Sequence, residues 1–362
     1  MILLVTHGWK DNHFGGRQQY SRCLIQSLKK NNSENLNIYK ISPYKKINII
    51  DKFFNLNVDF ISSKDVEDIL NIIKSNKINL VIIDASSFGF LCKKIKNLSK
   101  QIRIIVIYHH IEFNFFIQLF YSTKNPLKLF LAIKMYINEF LSSKFSDKQI
   151  FFTIRDKNYG KSLYKSKNPE ILPIAQPFSE PKNFEEKSII EKPYVLFIGG
   201  GKLLPNYTGI LWFIENVLPK IDLELIVIGS GYDELIKKNF KNVTFLGKVD
   251  DTTSLYKKAK FAIAPIFGGS GMKTKIAEAA SFGKIVFGTT EAIHGYEKFI
   301  NKICIRCDNE KEFISNINIY KKLSINSKEV SDIYKKNYSV DAMNYNFTKL
   351  IKNLIQLKSN DI

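Results

Sequence analysis

The run FAIAPIFGGSGMKTKIAEAASFGKIVFGTTEAIHGY, residues 261–296, decides how this chain is read. Residues 261–266 form an apolar run of strand length, which predicts a buried strand. Gly268, Gly269 and Gly271 follow around Ser270, and after them come Met272, Lys273, Thr274 and Lys275. Ile276, Ala277, Ala279 and Ala280 recur at helical spacing up to Gly283, and Ile285-Val286-Phe287 starts a second apolar run. The order is strand, glycine loop, helix, strand. Glycines let backbone N–H groups converge on one point, with the positive end of the helix behind them. Two lysines in the first helical turn oppose the macrodipole and weaken the helix unless an anion binds there. A bare βαβ turn would use the same glycines; the lysines and Glu278 favour a diphosphate pocket over it.

The same grammar extends to both sides of the run. Residues 194–198 predict a strand that ends in Gly199-Gly200-Gly201-Lys202, with Pro205-Asn206 ahead of a helix over 208–218. A strand over 223–228 runs into Gly229-Ser230-Gly231, and one over 243–246 ends in Gly247-Lys248. The glycine spacing does not fit a dinucleotide fingerprint. Helices are predicted over 310–323, 327–334 and 340–357, the last with Phe347, Leu350, Ile351, Leu354 and Ile355 on one face.

Alternating strands and helices fill the first half as well, with strands over 2–6, 80–84, 102–108 and 149–153 and weaker ones near 36–41 and 47–50. Gly15, Gly16 and Arg17 precede a helix, where the backbone can approach a ligand closely. The strand over 102–108 delivers His109-His110-Ile111-Glu112 at its carboxyl end, the side on which open parallel sheets bind ligands. Two adjacent histidines cannot face one crevice together; His109 is the candidate and one of the pair is structural. Residues 113–145, broken at Asn125-Pro126, predict two helices rich in Phe, Leu, Ile and Lys. Packing on the sheet is the first reading for most of their aromatics, and an apolar, lysine-rimmed surface against a membrane is the alternative.

With 362 residues the chain has room for two domains. No signal-peptide pattern opens it and no apolar run is long enough to span a bilayer, so a cytoplasmic protein with reduced thiols is expected. Cys304 and Cys307 have no second Cys or His pair to complete a zinc site and read as buried thiols. The formal charge is +20, with its surplus concentrated in the first half. Attraction to an anionic membrane surface is one reading. A lysine-rich, Asn- and Ile-rich composition bias is the other. Motifs for nucleic-acid binding are absent.

Taken together, Gly15-Gly16, the turn over 109–112, Thr153-Ile154-Arg155-Asp156, the strand end over 197–201 with Pro205-Asn206, and residues 268–296 resemble a GT-B glycosyltransferase of the retaining family-4 type that builds bacterial surface polysaccharides. The resemblance implies an α/β fold of two Rossmann-like domains facing across a cleft. An acceptor-binding domain over 1–178, a linker over 179–192, a nucleotide-sugar domain over 193–339 and a C-terminal helix over 340–362 packing back towards the first domain would follow. It implies a nucleotide-sugar donor, a lipid-linked saccharide acceptor, no cofactor or metal, and a place on the inner face of the cytoplasmic membrane. His109, Lys202, Lys273 and Glu278 would serve catalysis. Gly15, Gly16, Gly200, Gly201, Lys248, Gly269, Ser270, Gly271, Met272, Thr274 and Lys275 would bind substrate. Glu278 matches the second glutamate of the family's paired motif, which holds ribose hydroxyls, while Ser270 stands at the first. Asn206 stands near an expected cation, leaving Lys273 and Lys275 to compensate. A GT-B-fold epimerase and a non-catalytic precursor-binding subunit are the alternatives.

Overall fold

The computed structural model describes residues 1–8, 15–41, 61–178 and 193–356. The strand expected near 47–50, the linker over 179–192 and the chain beyond 356 lie outside the described residues. Two compact units emerge: Met1–Ile174 with Ser270–Met272 and Met343–Ile362, and Ala175–Gly269 with Lys273–Ala342.

In the first unit the strands are β1 (Ile2–His7), β2 (Leu36–Ile41), β3 (Leu80–Ile83), β4 (Arg103–Tyr108), β5 (Lys148–Phe151) and β6 (Pro169–Ile171). They form one parallel sheet in the order β2-β1-β3-β4-β5-β6. Leu3, Val5, Val81, Ile83, Ile104 and Val106 are buried, so these strands read as near-continuous apolar runs because helices cover both faces. The sequence pattern misses β6, a three-residue strand containing Pro and Glu; it sits at the sheet edge, where a missing N–H is tolerated. The C-terminal helix Val340–Gln356 buries Phe347, Leu350, Ile351 and Leu354. From Met343 onward it belongs to the first unit, and the Asn344 amide donates to the Ser27 carbonyl at 3.1 Å.

The second unit carries β7 (Tyr194–Ile198), β8 (Glu224–Ile228), β9 (Val243–Gly247), β10 (Phe261–Ala264), β11 (Val286–Gly288) and β12 (Cys304–Arg306), also all parallel. Their order is β12-β11-β10-β7-β8-β9. The chain runs outward from β7 to β9, then crosses back to place β10 on the other side of β7. The carboxyl ends of β7 and β10 therefore adjoin at the reversal, the ligand-binding position of open α/β sheets. Cys304 and Cys307 are free, buried thiols.

After β7 the helix is Leu204–Asn216, starting earlier than expected because Pro205 is accommodated in its first turn. Gly209 sets how closely this helix approaches the end of β10: a Cβ there would lie 1.8 Å from the Pro265 carbonyl oxygen. Gly209→Ala should cost about 1–3 kcal/mol of stability, the range for overfilling a packed interior. Urea unfolding followed by fluorescence of Trp212, on the same helix, checks this.

Candidate functional site

At the β7/β10 reversal, Gly269 and Gly271 adopt φ of +116° and +68°, conformations in which an L side chain is strained. Thr289 steadies the loop by donating its hydroxyl to the Ile266 carbonyl. The helix that follows is Thr274–Ser281, and Lys273 stands at its N-cap rather than within its first turn. Its backbone there is extended, so only Lys275 of the two lysines lies on the helix itself. Tyr296 fastens this start. Its hydroxyl donates to the Lys273 carbonyl at 2.8 Å and accepts from the Ala277 N–H at 3.3 Å.

Each lysine is held. Lys273 Nζ lies 3.1 Å from Glu291 Oε1, both side chains being largely buried. Lys275 Nζ donates to Asn206 Oδ1 at 3.1 Å and sits 4.1 Å from the centroid of the Phe197 ring. The Asn206 amide in turn donates to the Gly200 carbonyl at 3.0 Å. Asn206 thus brings a cation to the end of β7, where the sequence itself carries none beyond Lys202. Burial, reinforced by the Lys273 charge and opposed by Glu278, pushes Lys275 down to about 7. Glu278 lies three residues further along the helix. Burial pushes it up to about 7, against Lys275 and a hydrogen bond from Thr252.

Other expected residues are accounted for differently. Gly201 is required by packing, since a Cβ would meet the Gly231 carbonyl oxygen at 2.3 Å, whereas a Cβ on Gly200 would make only ordinary contact with the Ser230 carbonyl oxygen at 3.8 Å. Lys202 is exposed beside Gly231. Lys248 follows β9, the edge strand two places from β7, and is exposed there. Met272 is buried. Ser270, Gly271 and Met272 group with the first unit. Glu291 was not singled out from the sequence; a lone Glu after Thr-Thr carries no signal until folding sets it against Lys273.

In the first unit, the centre of the polar network is Asp84, just past β3. Its buried carboxylate accepts from Thr6 Oγ1 at 2.7 Å, Ser21 Oγ at 2.5 Å and His109 Nε2 at 2.7 Å. Burial favours the neutral acid, but His109 and the two hydroxyls outweigh it and hold Asp84 below its usual range. A carboxylate only accepts, so His109 carries its proton on Nε2. Burial, joined by Arg17 and His110 and resisted by Asp84, lowers His109 and leaves it neutral at pH 7. Tyr20 and Phe152 meet its ring edge-on. His110 parts from it and lies 3.1 Å from Glu112, which Arg17 also approaches at 3.7 Å. Burial would raise Glu112, yet His110 and Arg17 bring it down to about 2. The Gly15 N–H is taken by Gln18 Oε1 at 2.8 Å, and Gly16 starts the helix Gly16–Asn32.

Residues 192–320 match the model of the family described as glycosyl transferases group 1. No curated protein matches the chain in sequence. Among solved structures, a sucrose-phosphate synthase from Thermosynechococcus elongatus superposes with a TM-score of 0.73 at 13% identity, over 98% of this chain and 99% of that one. The Anabaena HepE protein, solved with UDP-glucose, gives 0.64 at 12% identity over 98% and 100%. The lipopolysaccharide outer core galactosyltransferase WaaB gives 0.64 at 11% identity over 97% and 100%. The fold is GT-B, with two Rossmann-like α/β domains and a C-terminal helix grouped with the first. No helix among the described residues is long and apolar enough to cross a membrane.

An anion beside Lys275 favours its charged form and raises its pKa above about 7. Affinity for a nucleoside diphosphate should therefore fall as pH rises above 7, and binding should draw in a proton there. Between pH 7.5 and 9, calorimetry in buffers of different ionisation enthalpy should show this uptake, and Lys275→Met should abolish it. Uptake that is unchanged in the variant would place the titrating group elsewhere.

Proposed function

We propose that the chain is a retaining, metal-independent glycosyltransferase. It would transfer a sugar from a nucleotide-sugar donor to a lipid-linked saccharide in surface polysaccharide synthesis, working at the inner face of the cytoplasmic membrane. The observation that carries the reading is the Lys273–Lys275 pair at the start of the helix Thr274–Ser281, beside the carboxyl end of β7, with Glu278 on the same helix. The group 1 family match over 192–320 and the UDP-glucose bound to HepE support a nucleotide-sugar donor. WaaB, a galactosyltransferase of a lipopolysaccharide core, supports the saccharide acceptor.

The chemistry follows from charge. As the acceptor oxygen bonds the anomeric carbon and the carbon–oxygen bond to the diphosphate breaks, negative charge grows on the departing diphosphate, which takes up the proton that the acceptor hydroxyl loses. Preorganised loop amides, the helix N-terminus and two ammonium groups lower the energy of that state. Lys275, partly discharged without an anion nearby, becomes fully charged as the diphosphate binds. Glu278 accepts from the ribose hydroxyls, which donate best to an ionised carboxylate. Glu291, beside Lys273, offers the donor sugar a carboxylate that Ser270 does not. His109, neutral and locked by Asp84, presents a fixed imidazole at the end of β4 for the acceptor side.

Incubation with a panel of nucleotide sugars and a polyprenyl-diphosphate-linked saccharide should release nucleoside diphosphate in step with acceptor glycosylation. Glu278→Ala should lower turnover by roughly 100-fold, the loss expected for hydrogen bonds to a charged group, without changing the melting temperature. Near-normal transfer by that variant sinks the assigned role. A sugar altered without transfer would indicate an epimerase, and a raised melting temperature without turnover a binding subunit.

A further inference from the structure

The helices Glu112–Thr123 and Pro126–Phe145, joined through Lys124 and Asn125, are built inside out. The first contains five Phe, Ile or Leu side chains and a Tyr between 115 and 121, yet Glu112 is its one buried residue. The second buries Asn138, Glu139 and Ser142 completely. It exposes Leu127, Leu129, Ile133 and Tyr136, the last three at a spacing that puts them on one side.

The inverted burial has a local cause. Ser142 Oγ donates to the Ser86 carbonyl at 2.7 Å, and Ser143 bonds Ser166 at 2.9 Å. Glu139 accepts from the Glu112 and Phe113 N–H groups at 3.0 Å, capping the first helix from the second. Gly89 lets the backbones nearly touch, for a Cβ there would fall 2.0 Å from the Asn138 carbonyl oxygen. Polar and small groups are needed inward, so the apolar ones are turned out. Tyr121 is 64% exposed, Leu127 52% and Ile133 51%, which puts large apolar side chains at the turn and along the outer side.

Charge selects the partner. Residues 112–145 contain Lys124, Lys128, Lys134 and Lys144 against Glu112 and Glu139; both carboxylates and Lys134 are buried, which leaves Lys124, Lys128 and Lys144 outside. The hairpin therefore offers its surroundings lysine charge without opposing carboxylate, on a chain of formal charge +20. A second copy of the same face would meet like charge. A surface that is apolar below and anionic above matches both features, with tyrosine suited to the boundary between them.

We propose that the hairpin over 112–145 docks on the headgroup region of an anionic lipid bilayer, with Tyr121, Leu127 and Ile133 entering the acyl boundary and Lys124 and Lys128 meeting lipid phosphates. This deepens the peripheral-membrane part of the function proposed above and rests on that part alone. Flotation of the full chain with phosphatidylcholine vesicles, with and without phosphatidylglycerol, tests it. The protein should float with the anionic vesicles only, and less as salt is added. The triple variant Tyr121→Ser, Leu127→Ser, Ile133→Ser should bind roughly tenfold or more weakly. Lys124→Glu with Lys128→Glu should weaken binding and flatten its salt dependence. Both variants should keep the wild-type melting temperature and nucleoside-diphosphate affinity. A wild-type protein that stays at the bottom of the gradient overturns the proposal, as does a triple variant that floats equally well. So does a wild-type dimer that the triple variant converts to monomer in sedimentation. Vesicle binding needs no donor, so a protein that floats but transfers no sugar keeps its docking surface and loses the proposed chemistry.

Discussion

The hydrogen bond from Lys275 to Asn206 ties together the two loops on which the second unit depends. Asn206 sits in the first turn of the helix after β7 and Lys275 in the first turn of the helix after β10, and the two strands are neighbours although their starts lie 67 residues apart in the chain. The bond forms because Gly209 lets the helix Leu204–Asn216 press against Pro265. A bulkier residue there would push Asn206 away from Lys275 and Gly200 together. The polar site is in this sense a product of apolar packing, set by a missing methyl group.

Much of the architecture is written in the strands. Runs such as ILLV, LVII and YVLFI admit few readings other than buried parallel strands, and the glycines directly after YVLFI mark where the backbone must turn. Boundaries shift where a rule has an exception. Pro205 lies inside a helix because the first turn does not need its N–H, and Lys273 lies outside one because the chain is still extended there. The polar networks are far less legible. Asp84 gathers Thr6, Ser21 and His109 from separate elements, and Glu139 caps a helix that begins 27 residues before it. No local pattern encodes such meetings; they arise only when the sheet order is known.

The hairpin over 112–145 shows a further limit of periodicity. Apolar spacing says that one face of a helix leaves water, but not what that face enters. Glu139 decides the matter here. Its carboxylate caps the neighbouring helix, binds Tyr164 at 2.7 Å and accepts from Ser86 at 3.0 Å, so its face must point inward. Burial raises it to about 7, with Glu112 adding to the effect and its backbone and tyrosine donors opposing it. Turning the helix to bury Leu129 and Ile133 would strand those donors in the interior, each at a cost of about 1–3 kcal/mol.

Two buried pairs treat charge in opposite ways. In the first, Asp84 and Glu112 are each surrounded by donors or cations and driven below the usual carboxylate range. In the second, Lys275 is driven towards neutrality by burial and by a neighbour of its own sign, and Glu278 by burial alone. Local choices that conflict with the fold's own electrostatics persist where a ligand resolves them. Lys275 and Glu278 are both unfavourably placed for an empty site, and the diphosphate and ribose proposed above would relieve both. That contrast, rather than the glycines, separates a binding loop from a tight turn.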